Sequence, residues 1–211
     1  RAEMPLADAR RHFGIIEGDV PILLLPGSRR EEIERLLPAM LAAAKMLHSQ
    51  DPARRFFLPV AGSVPKERVQ EIIASSGMTV TLTYDARYAL MGIARAAMAA
   101  SGTVVMEAAI MGLPAVVLYR MSALSYFVGR LLVDVPRFSL PNILLGETFE
   151  TELLQDEVQP ERIADEMARI LADGAARAHI IQRLARAVEL LGAPHAARRV
   201  AEKIIAIAER R

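Results

Sequence analysis

The sequence predicts an α/β fold: a Rossmann-like, doubly wound parallel sheet followed by a helical C-terminal tail. Short apolar or β-branched runs alternate with helical stretches along most of the chain, which is the pattern of βαβ units on a parallel sheet. The 211 residues are 53% hydrophobic, enough to bury one large core. Aromatic residues make up only 5% of the chain and Trp is absent, which favours a helix-rich α/β protein over an all-β sandwich.

Strands are predicted where apolar runs end at turn residues, and helices where apolar residues recur at helical spacing. The first strand is the run 20–25, which stops at Pro26-Gly27. Pro65 opens a helix that Gly77 closes. The other strands are predicted at 55–60, 79–83, 96–101 and 115–119, with a short sixth at 137–140. The helices are predicted at 31–49, 65–76, 88–95, 104–111 and 122–133.

The pattern changes to helices alone near the C-terminus. Apolar residues at helical spacing predict helices at 160–172, 177–191 and 196–211, separated by glycine-containing turns. We therefore expect three segments: a linker at 1–19, a Rossmann-like domain at 20–160, and helices at 161–211 that pack on the same domain.

Composition excludes several classes of protein. Formal net charge is +1, so the chain lacks the excess of positive charge that is typical of nucleic-acid-binding proteins. No Cys is present to form disulfides or thiolate metal sites, which fits a cytoplasmic protein. No apolar run reaches the roughly 18–20 residues of a membrane span. The four His are scattered and no Asp-x-Asp occurs, so we expect no metal and no cofactor. The chain begins with Arg rather than Met, and we expect it to be a piece of a longer protein.

The first candidate site is the turn Gly27-Ser28-Arg29, between the first strand and the first long helix. Ligands of open parallel sheets bind beyond the carboxyl ends of the strands, and a helix N-terminus there suits phosphate. Gly27 allows close backbone approach, Ser28 can donate a hydrogen bond, and Arg29 can grip phosphate oxygens in two places. The alternative is a capped helix with solvated charges, because Ser28 and Glu31 have the spacing of a capping box.

The second candidate is Ser101-Gly102-Thr103, a small-residue turn that opens another helix at the same edge of the sheet. Glu107 follows within an otherwise apolar stretch, where a carboxylate is costly to bury without hydrogen bonds. A ribose diol would satisfy it, as in other nucleotide-binding α/β folds. The alternative is a carboxylate that simply faces water.

The third candidate is Asn142, which follows Ser139-Leu140-Pro141 and offers amide donors and an acceptor to a base, sugar or diphosphate. The alternative is an ordinary turn residue. Glu152 and Gln155 are weaker candidates nearby.

Four motifs in order resemble one family, the lipid A disaccharide synthases. They are Leu25-Pro26-Gly27-Ser28-Arg29-x-x-Glu32-Ile33, Ala100-Ser101-Gly102-Thr103-x-x-x-Glu107-Ala108, Tyr119-Arg120-Met121 and Leu140-Pro141-Asn142-Ile143-Leu144. Each is weak alone, but together they are specific, and the resemblance runs from about residue 21 to the C-terminus. It implies the C-terminal, UDP-sugar-binding half of a GT-B glycosyltransferase, with the N-terminal domain missing.

The resemblance also implies the reaction and the roles of residues. The family transfers 2,3-diacylglucosamine from UDP-2,3-diacylglucosamine to 2,3-diacylglucosamine 1-phosphate, a lipid X-type acceptor, with inversion and without metal, as a step of lipid A biosynthesis. Gly27, Ser28 and Arg29 would hold the diphosphate, and Arg29 would stabilise the leaving group. Glu107 would hold the ribose, and Asn142, Glu152 and Gln155 would lie near the donor sugar or diphosphate. The general base would belong to the missing domain, so the fragment alone is expected to be inactive.

Other interpretations stay open at this stage. The chain could be a MurG-like or UDP-GlcNAc epimerase-like GT-B domain, or a non-catalytic nucleotide-binding domain. Residues 120–133 are strongly apolar with Arg at both edges, which fits either packing within the protein or contact with the inner face of the inner membrane. A homodimer is also left open.

Overall fold

Six parallel strands form one sheet in the part of the chain that the structure describes. The computed structural model describes residues 4–62, 64–122 and 136–192, together with positions 201, 204, 205 and 207. The strands are β1 (Val20–Leu25), β2 (Arg54–Pro59), β3 (Thr81–Thr83), β4 (Ala96–Ala100), β5 (Ala115–Tyr119) and β6 (Glu152–Leu154). Their order is β3-β2-β1-β4-β5-β6, with every neighbouring pair parallel. The order reverses between β1 and β4, the position at which ligands enter doubly wound folds.

Helices cover both faces of this sheet. They are α1 (Leu6–His12), α2 (Arg30–Gln50), α3 (Lys66–Ser76), α4 (Arg87–Ile93), α5 (Thr103–Ile110), α6 (Leu140–Leu145), α7 (Pro160–Leu171) and α8 (Ala175–Leu190), with a 3₁₀ turn at Gln155–Glu157. The fold therefore confirms the predicted doubly wound Rossmann-like sheet. No helix among the described residues is long and apolar enough to cross a membrane.

The sheet is apolar on both faces, which explains its nearly continuous apolar strands. Side chains of β1 alternate between two cores: Ile22 and Leu24 pack with α2 and α7, while Leu23 and Leu25 pack on the other face with α1, α4 and α5. All four are at most 4% exposed. Burial on both sides fixes β1 rigidly at the centre, so the turn that leaves its carboxyl end is well positioned.

The C-terminal helices pack on the same layers as the rest of the chain. Helix α7 contacts α2 together with β4 and β5, and α8 contacts α5 and α6. Ile163 and Met167 of α7 and Leu184 of α8 are fully buried in the core on the α2 face. The predicted helices at 160–172 and 177–191 are confirmed, within two residues at each end.

Two sequence predictions differ from the structure. Residues 137–140 are not a strand: α6 begins at Leu140, and the sixth strand is Glu152–Leu154. Pro141 lacks the N–H that a strand ladder needs, whereas the first turn of a helix does not use it, and Gly146 at φ 70° ends the helix. Helix α1, which was not predicted, lies in the segment expected to be a linker and packs on α4. The predicted helix at 122–133 and most of that at 196–211 fall outside the described residues.

Candidate functional site

A cleft of about 530 Å³ lies at the carboxyl edge of the sheet, beside the point where the strand order reverses. Four connections form its walls: the β1–α2 turn, the β4–α5 turn and the loops that follow β2 and β3. The predicted residues Gly27, Ser28, Arg29, Ser101, Gly102, Thr103 and Glu107 all line it, as do Glu32, Thr83, Tyr84, Asp85 and Arg87. Asn142, Glu152 and Gln155 do not line this cleft.

The β1–α2 turn is shaped by Gly27 and Glu32. Gly27 has φ +108°, and a Cβ there would collide with Glu32 Oε2 and lie 2.9 Å from Glu32 Cβ. That carboxylate turns back to accept hydrogen bonds from the backbone N–H groups of Ser28 (3.1 Å) and Arg29 (3.3 Å). Arg29 is the N-cap residue of α2, and the carboxylate that accepts these bonds is that of Glu32, one residue beyond the Glu31 of the predicted spacing.

Arg29 extends from this turn into the cleft. Its side chain is 83% exposed and its Nη1 lies 3.4 Å from Glu32 Oε1, a long contact that holds it loosely. A planar guanidinium that is exposed and weakly paired can reorient towards an anion at small cost. Arg29 and the amino end of α2 therefore give this wall of the cleft its positive character.

The β4–α5 turn presents a second helix start to the same cleft. Gly102 is the N-cap of α5 at φ +153°, and no side chain among the described residues caps the helix. Ser101 N–H donates to Leu118 O and Ser101 Oγ donates to Phe138 O, both at 2.9 Å. The Ser101 side chain thus ties the turn to the segment before α6, while the amino end of α5 faces the cleft.

Glu107 lies one turn inside α5 and pairs with Arg87, the first residue of α4. Arg87 Nη2 is 2.8 Å from Glu107 Oε2, but the angle does not make a hydrogen bond, so this buried oxygen has no hydrogen-bond partner among the described residues. Arg87 also lies over the Tyr88 ring, 4.9 Å from its centroid, and donates to Tyr88 Oη at 3.0 Å. Glu107 does not simply face water: its side chain is 26% exposed and ion-paired.

Asn142 is fully buried, and its side-chain amide is used within the protein. It donates to Glu150 O (2.9 Å) and to Glu152 Oε1 (2.7 Å), and it accepts from the N–H groups of Phe149 and Glu150, both at 3.1 Å. These bonds hold β6 and the residues before it against α6. Asn142 is therefore more than a turn residue, although a contact with a ligand stays a prediction.

Glu152 and Gln155 also fasten loops at this end of the sheet. Glu152 accepts from the backbone N–H groups of Phe138 (2.9 Å) and Ser139 (3.0 Å), which lead into α6. Gln155, at φ 52°, bonds the backbone of Met121 in both directions, at 2.7 and 3.3 Å. The structure brings Glu152 together with Asn142, whereas Gln155 contacts Met121, and none of the three lines the cleft.

Glu150 is a buried carboxyl group that sequence reasoning did not identify. Its side chain is 1% exposed, Oε1 accepts from Ala115 N–H at 2.9 Å, and Oε2 has no partner among the described residues. Burial raises the pKa of Glu150 to about 8, and the neighbouring charge of Glu152 adds to that rise. Glu150 is therefore protonated at neutral pH.

Sequence reasoning also missed Arg87 and the loop Thr83-Tyr84-Asp85. Thr83 lines the cleft and is 6% exposed, and its buried Oγ1 has no hydrogen-bond partner among the described residues. Thr83 is the last residue of the edge strand β3 and the others follow it, and nothing in their local pattern marks them. Only the strand order places them opposite α5. No group of His, Asp and Glu that could hold a metal ion occurs among the described residues.

Comparison with known proteins assigns the chain to a family. The family model described as lipid-A-disaccharide synthetase matches residues 3–206. The lipid-A-disaccharide synthase of Myxococcus xanthus is 41% identical over 196 residues, which are 93% of this chain and 51% of the relative. That of Geobacter sulfurreducens is 38% identical over 201 residues, 95% of this chain and 52% of the relative. The chain thus spans about half the length of the curated relatives that it matches.

Solved structures share the fold at low sequence identity. The calicheamicin glycosyltransferase CalG4 has a TM-score of 0.57 and 18% identity over 92% of this chain and 43% of its own. The MnaA–UDP co-structure from S. aureus has a TM-score of 0.57 and 14% identity over 96% and 48%. The C-terminal CMP-Kdo binding domain of WaaA from Acinetobacter baumannii has a TM-score of 0.53 and 13% identity over 89% and 96%. These likenesses show the fold alone, and the sequence match shows that the chain belongs to the lipid-A-disaccharide synthetase family.

Proposed function

We propose that this chain is the donor-binding half of an inverting glycosyltransferase of lipid A biosynthesis. The complete enzyme would transfer 2,3-diacylglucosamine from UDP-2,3-diacylglucosamine to 2,3-diacylglucosamine 1-phosphate, releasing UDP and lipid A disaccharide 1-phosphate. This proposal takes its reaction from the family and its binding site from the cleft. The chain's share of the work is to hold UDP and stabilise it as it leaves.

One observation carries the proposal: two strand-to-helix turns, Gly27–Arg29 and Ser101–Thr103, face each other across one cleft at the reversal of strand order. Each turn opens a helix whose amino end attracts negative charge. Arg29 adds a mobile guanidinium that can bind two phosphate oxygens. A diphosphate has the charge and the length to contact both turns at once, and Glu107 lies on the second turn within reach of a ribose diol.

The chemistry follows from where charge develops. The bond between the anomeric carbon and the β-phosphate oxygen breaks, and the electron pair leaves with UDP. Arg29, once it has turned to the phosphates, and the amino end of α2 would stabilise that charge electrostatically. The acceptor hydroxyl attacks the opposite face of the sugar and gives its proton to a base on the N-terminal domain of the family.

The interior contacts of Asn142, Glu152 and Gln155 suggest how they would serve the donor. We propose that Asn142 and Glu152 fix the segment 138–142, which Ser101 Oγ joins to the β4–α5 turn, and so set the wall nearest the donor sugar. Gln155 would hold the backbone of Met121, after β5, in the same way. The enzyme's further partners are proposals as well: a lipid X-type acceptor, the inner face of the inner membrane as a peripheral surface, a cytoplasmic location and a homodimer.

Isothermal titration calorimetry with UDP, UMP and ATP tests the proposed function. UDP should bind more tightly than UMP, because the second phosphate adds contacts to Arg29, and more tightly than ATP. Arg29→Ala should lower UDP affinity about tenfold or more, the scale of one charge-assisted hydrogen bond. Equal binding of UDP and ATP would favour a general nucleotide-binding domain. UDP-GlcNAc binding more tightly than the diacylated donor would favour an epimerase-like or MurG-like protein.

A further inference from the structure

Arg87 is a second cation of the cleft, on the wall opposite Arg29. It is the first residue of α4, and Ala86 before it is held at φ 47°, a left-handed conformation that a non-glycine residue seldom adopts. The guanidinium packs against the Tyr88 ring at 4.9 Å and faces Glu107 across the gap between α4 and α5. The backbone and an aromatic ring thus aim this guanidinium at the cleft.

The Arg87–Glu107 pair is poorly made. Its 2.8 Å separation comes with an angle that gives no hydrogen bond, and the same Nη2 also donates to Tyr88 Oη at 3.0 Å. Arg87 is 42% exposed, so solvent screens the pair and the side chain has room to move. A guanidinium in this position can be drawn away by a better acceptor at little cost.

The proposed ligand supplies such an acceptor. The described lining residues include the carboxylates of Glu32, Asp85 and Glu107 and the guanidinium groups of Arg29 and Arg87. A nucleoside diphosphate adds further negative charge, and Arg29 alone would leave most of it uncompensated. A ribose bound to Glu107 would also compete with Arg87 for the same carboxylate oxygens.

We propose that Arg87 is a diphosphate-binding residue that changes partner when the donor enters, leaving Glu107 for phosphate oxygens while Glu107 accepts the ribose hydroxyl protons. The inference rests on the proposed function. In the bound state Glu107 would contact the ribose and Arg87 the diphosphate, so neither charged group would be left without a partner. Uridine has no phosphate, so when its ribose binds Glu107 the guanidinium of Arg87 loses its ion pair and gains no new partner.

A double-mutant cycle measured by calorimetry tests this exchange. The four chains are wild type, Arg87→Ala, Glu107→Gln and the double variant, each titrated with uridine and UDP at one ionic strength. Arg68→Ala is the matched control, because Arg68 is an arginine of α3 that pairs with Glu34 and Glu71 and does not line the cleft. Arg87→Lys keeps the positive charge but lacks the planar guanidinium group. Circular dichroism verifies that each variant is folded.

The expected result is selective. Arg87→Ala should weaken UDP binding about tenfold or more, the scale of a charge-assisted contact, without weakening uridine. Arg87→Lys should fall between wild type and Arg87→Ala, and Arg68→Ala should bind UDP like wild type. The loss caused by Arg87→Ala should persist in the Glu107→Gln background, since Arg87 would act on the phosphates themselves.

Three outcomes would overturn the inference. Unchanged UDP binding in Arg87→Ala, where the wild type binds UDP, would remove Arg87 from the site and leave the proposed function standing. Equal losses for uridine and UDP, or a loss that disappears in the Glu107→Gln background, would show that Arg87 only orients Glu107. A wild-type chain that binds no UDP would instead reject the proposed function, and the inference with it.

Discussion

Replacing Gly27 with alanine probes the turn on which the proposed phosphate site depends. At φ +108° a residue with a side chain is strained by about 1–3 kcal/mol. The added Cβ would also collide with Glu32 Oε2 and push the carboxylate from the N–H groups of Ser28 and Arg29. With the two hydrogen bonds worth about 1 kcal/mol each, the total loss of unfolding free energy should be about 3–5 kcal/mol. For a chain of this size that lowers Tm by roughly 6–20 °C.

Urea unfolding followed by circular dichroism measures this loss, with Gly62→Ala as the control. Gly62 is exposed and an added Cβ there meets nothing within 4 Å, so that change should stay within about 0.5 kcal/mol. Glu32→Ala removes the group with which the Cβ collides. The loss in the double variant Gly27→Ala/Glu32→Ala should therefore be smaller than the sum of the single losses by about 1 kcal/mol or more. If Gly27→Ala matched Gly62→Ala, or if the two losses simply added, the account of this turn would be refuted.

Three further predictions concern buried or paired groups. Glu150 has a pKa of about 8 in the folded chain and an ordinary value of 4.5. Between these two pH values unfolding releases its proton, so the free energy of unfolding falls as pH rises, by at most about 1.4 kcal/mol per pH unit. Glu150→Gln should flatten that slope in a urea–pH series, and an unchanged slope would contradict the assignment. Asn142→Ala leaves buried polar groups unpaired and should lower the free energy of unfolding in urea by about 2–4 kcal/mol. Ile143→Ala, at the half-exposed neighbouring residue, should lower it by about 1 kcal/mol or less. Equal losses would show that the hydrogen bonds of Asn142 do not stabilise the fold. In calorimetry, Glu107→Gln should weaken UDP but hardly affect pyrophosphate, and similar losses for both would argue against a ribose role.

Local pattern was sufficient to predict most of the fold. The strands around β1 were predicted because each is an apolar run bounded by turn residues, and α2 because its buried side chains recur at helical spacing. The error near residues 137–140 came from giving weight to an apolar stretch rather than to Pro141, a helix-start signal followed by Gly146 at the right distance. Strand β6 has three residues, Glu152–Leu154, and no β-branched side chain, so its sequence carries little signal. The predicted domain boundaries stay predictions.

The candidate site was only partly predictable, for a physical reason. Turns at the ends of β1 and β4 can be read from the sequence because each combines glycine with a following helix start. Thr83 ends an edge strand and Arg87 lies just beyond it, and only the strand order brings them to the same cleft as Glu107. The roles of Asn142 and Glu152 depend on hydrogen bonds across eight to fourteen residues of chain, which no local pattern specifies.

A crystal structure of this chain with UDP would show where the diphosphate binds. We expect diphosphate density between the Gly27–Arg29 turn and the amino end of α5, with the Arg29 guanidinium on the phosphates and the ribose at Glu107. Ordered UDP bound elsewhere, for example among Arg95 and Arg177 at the opposite edge of the sheet, with this cleft unchanged, would contradict it.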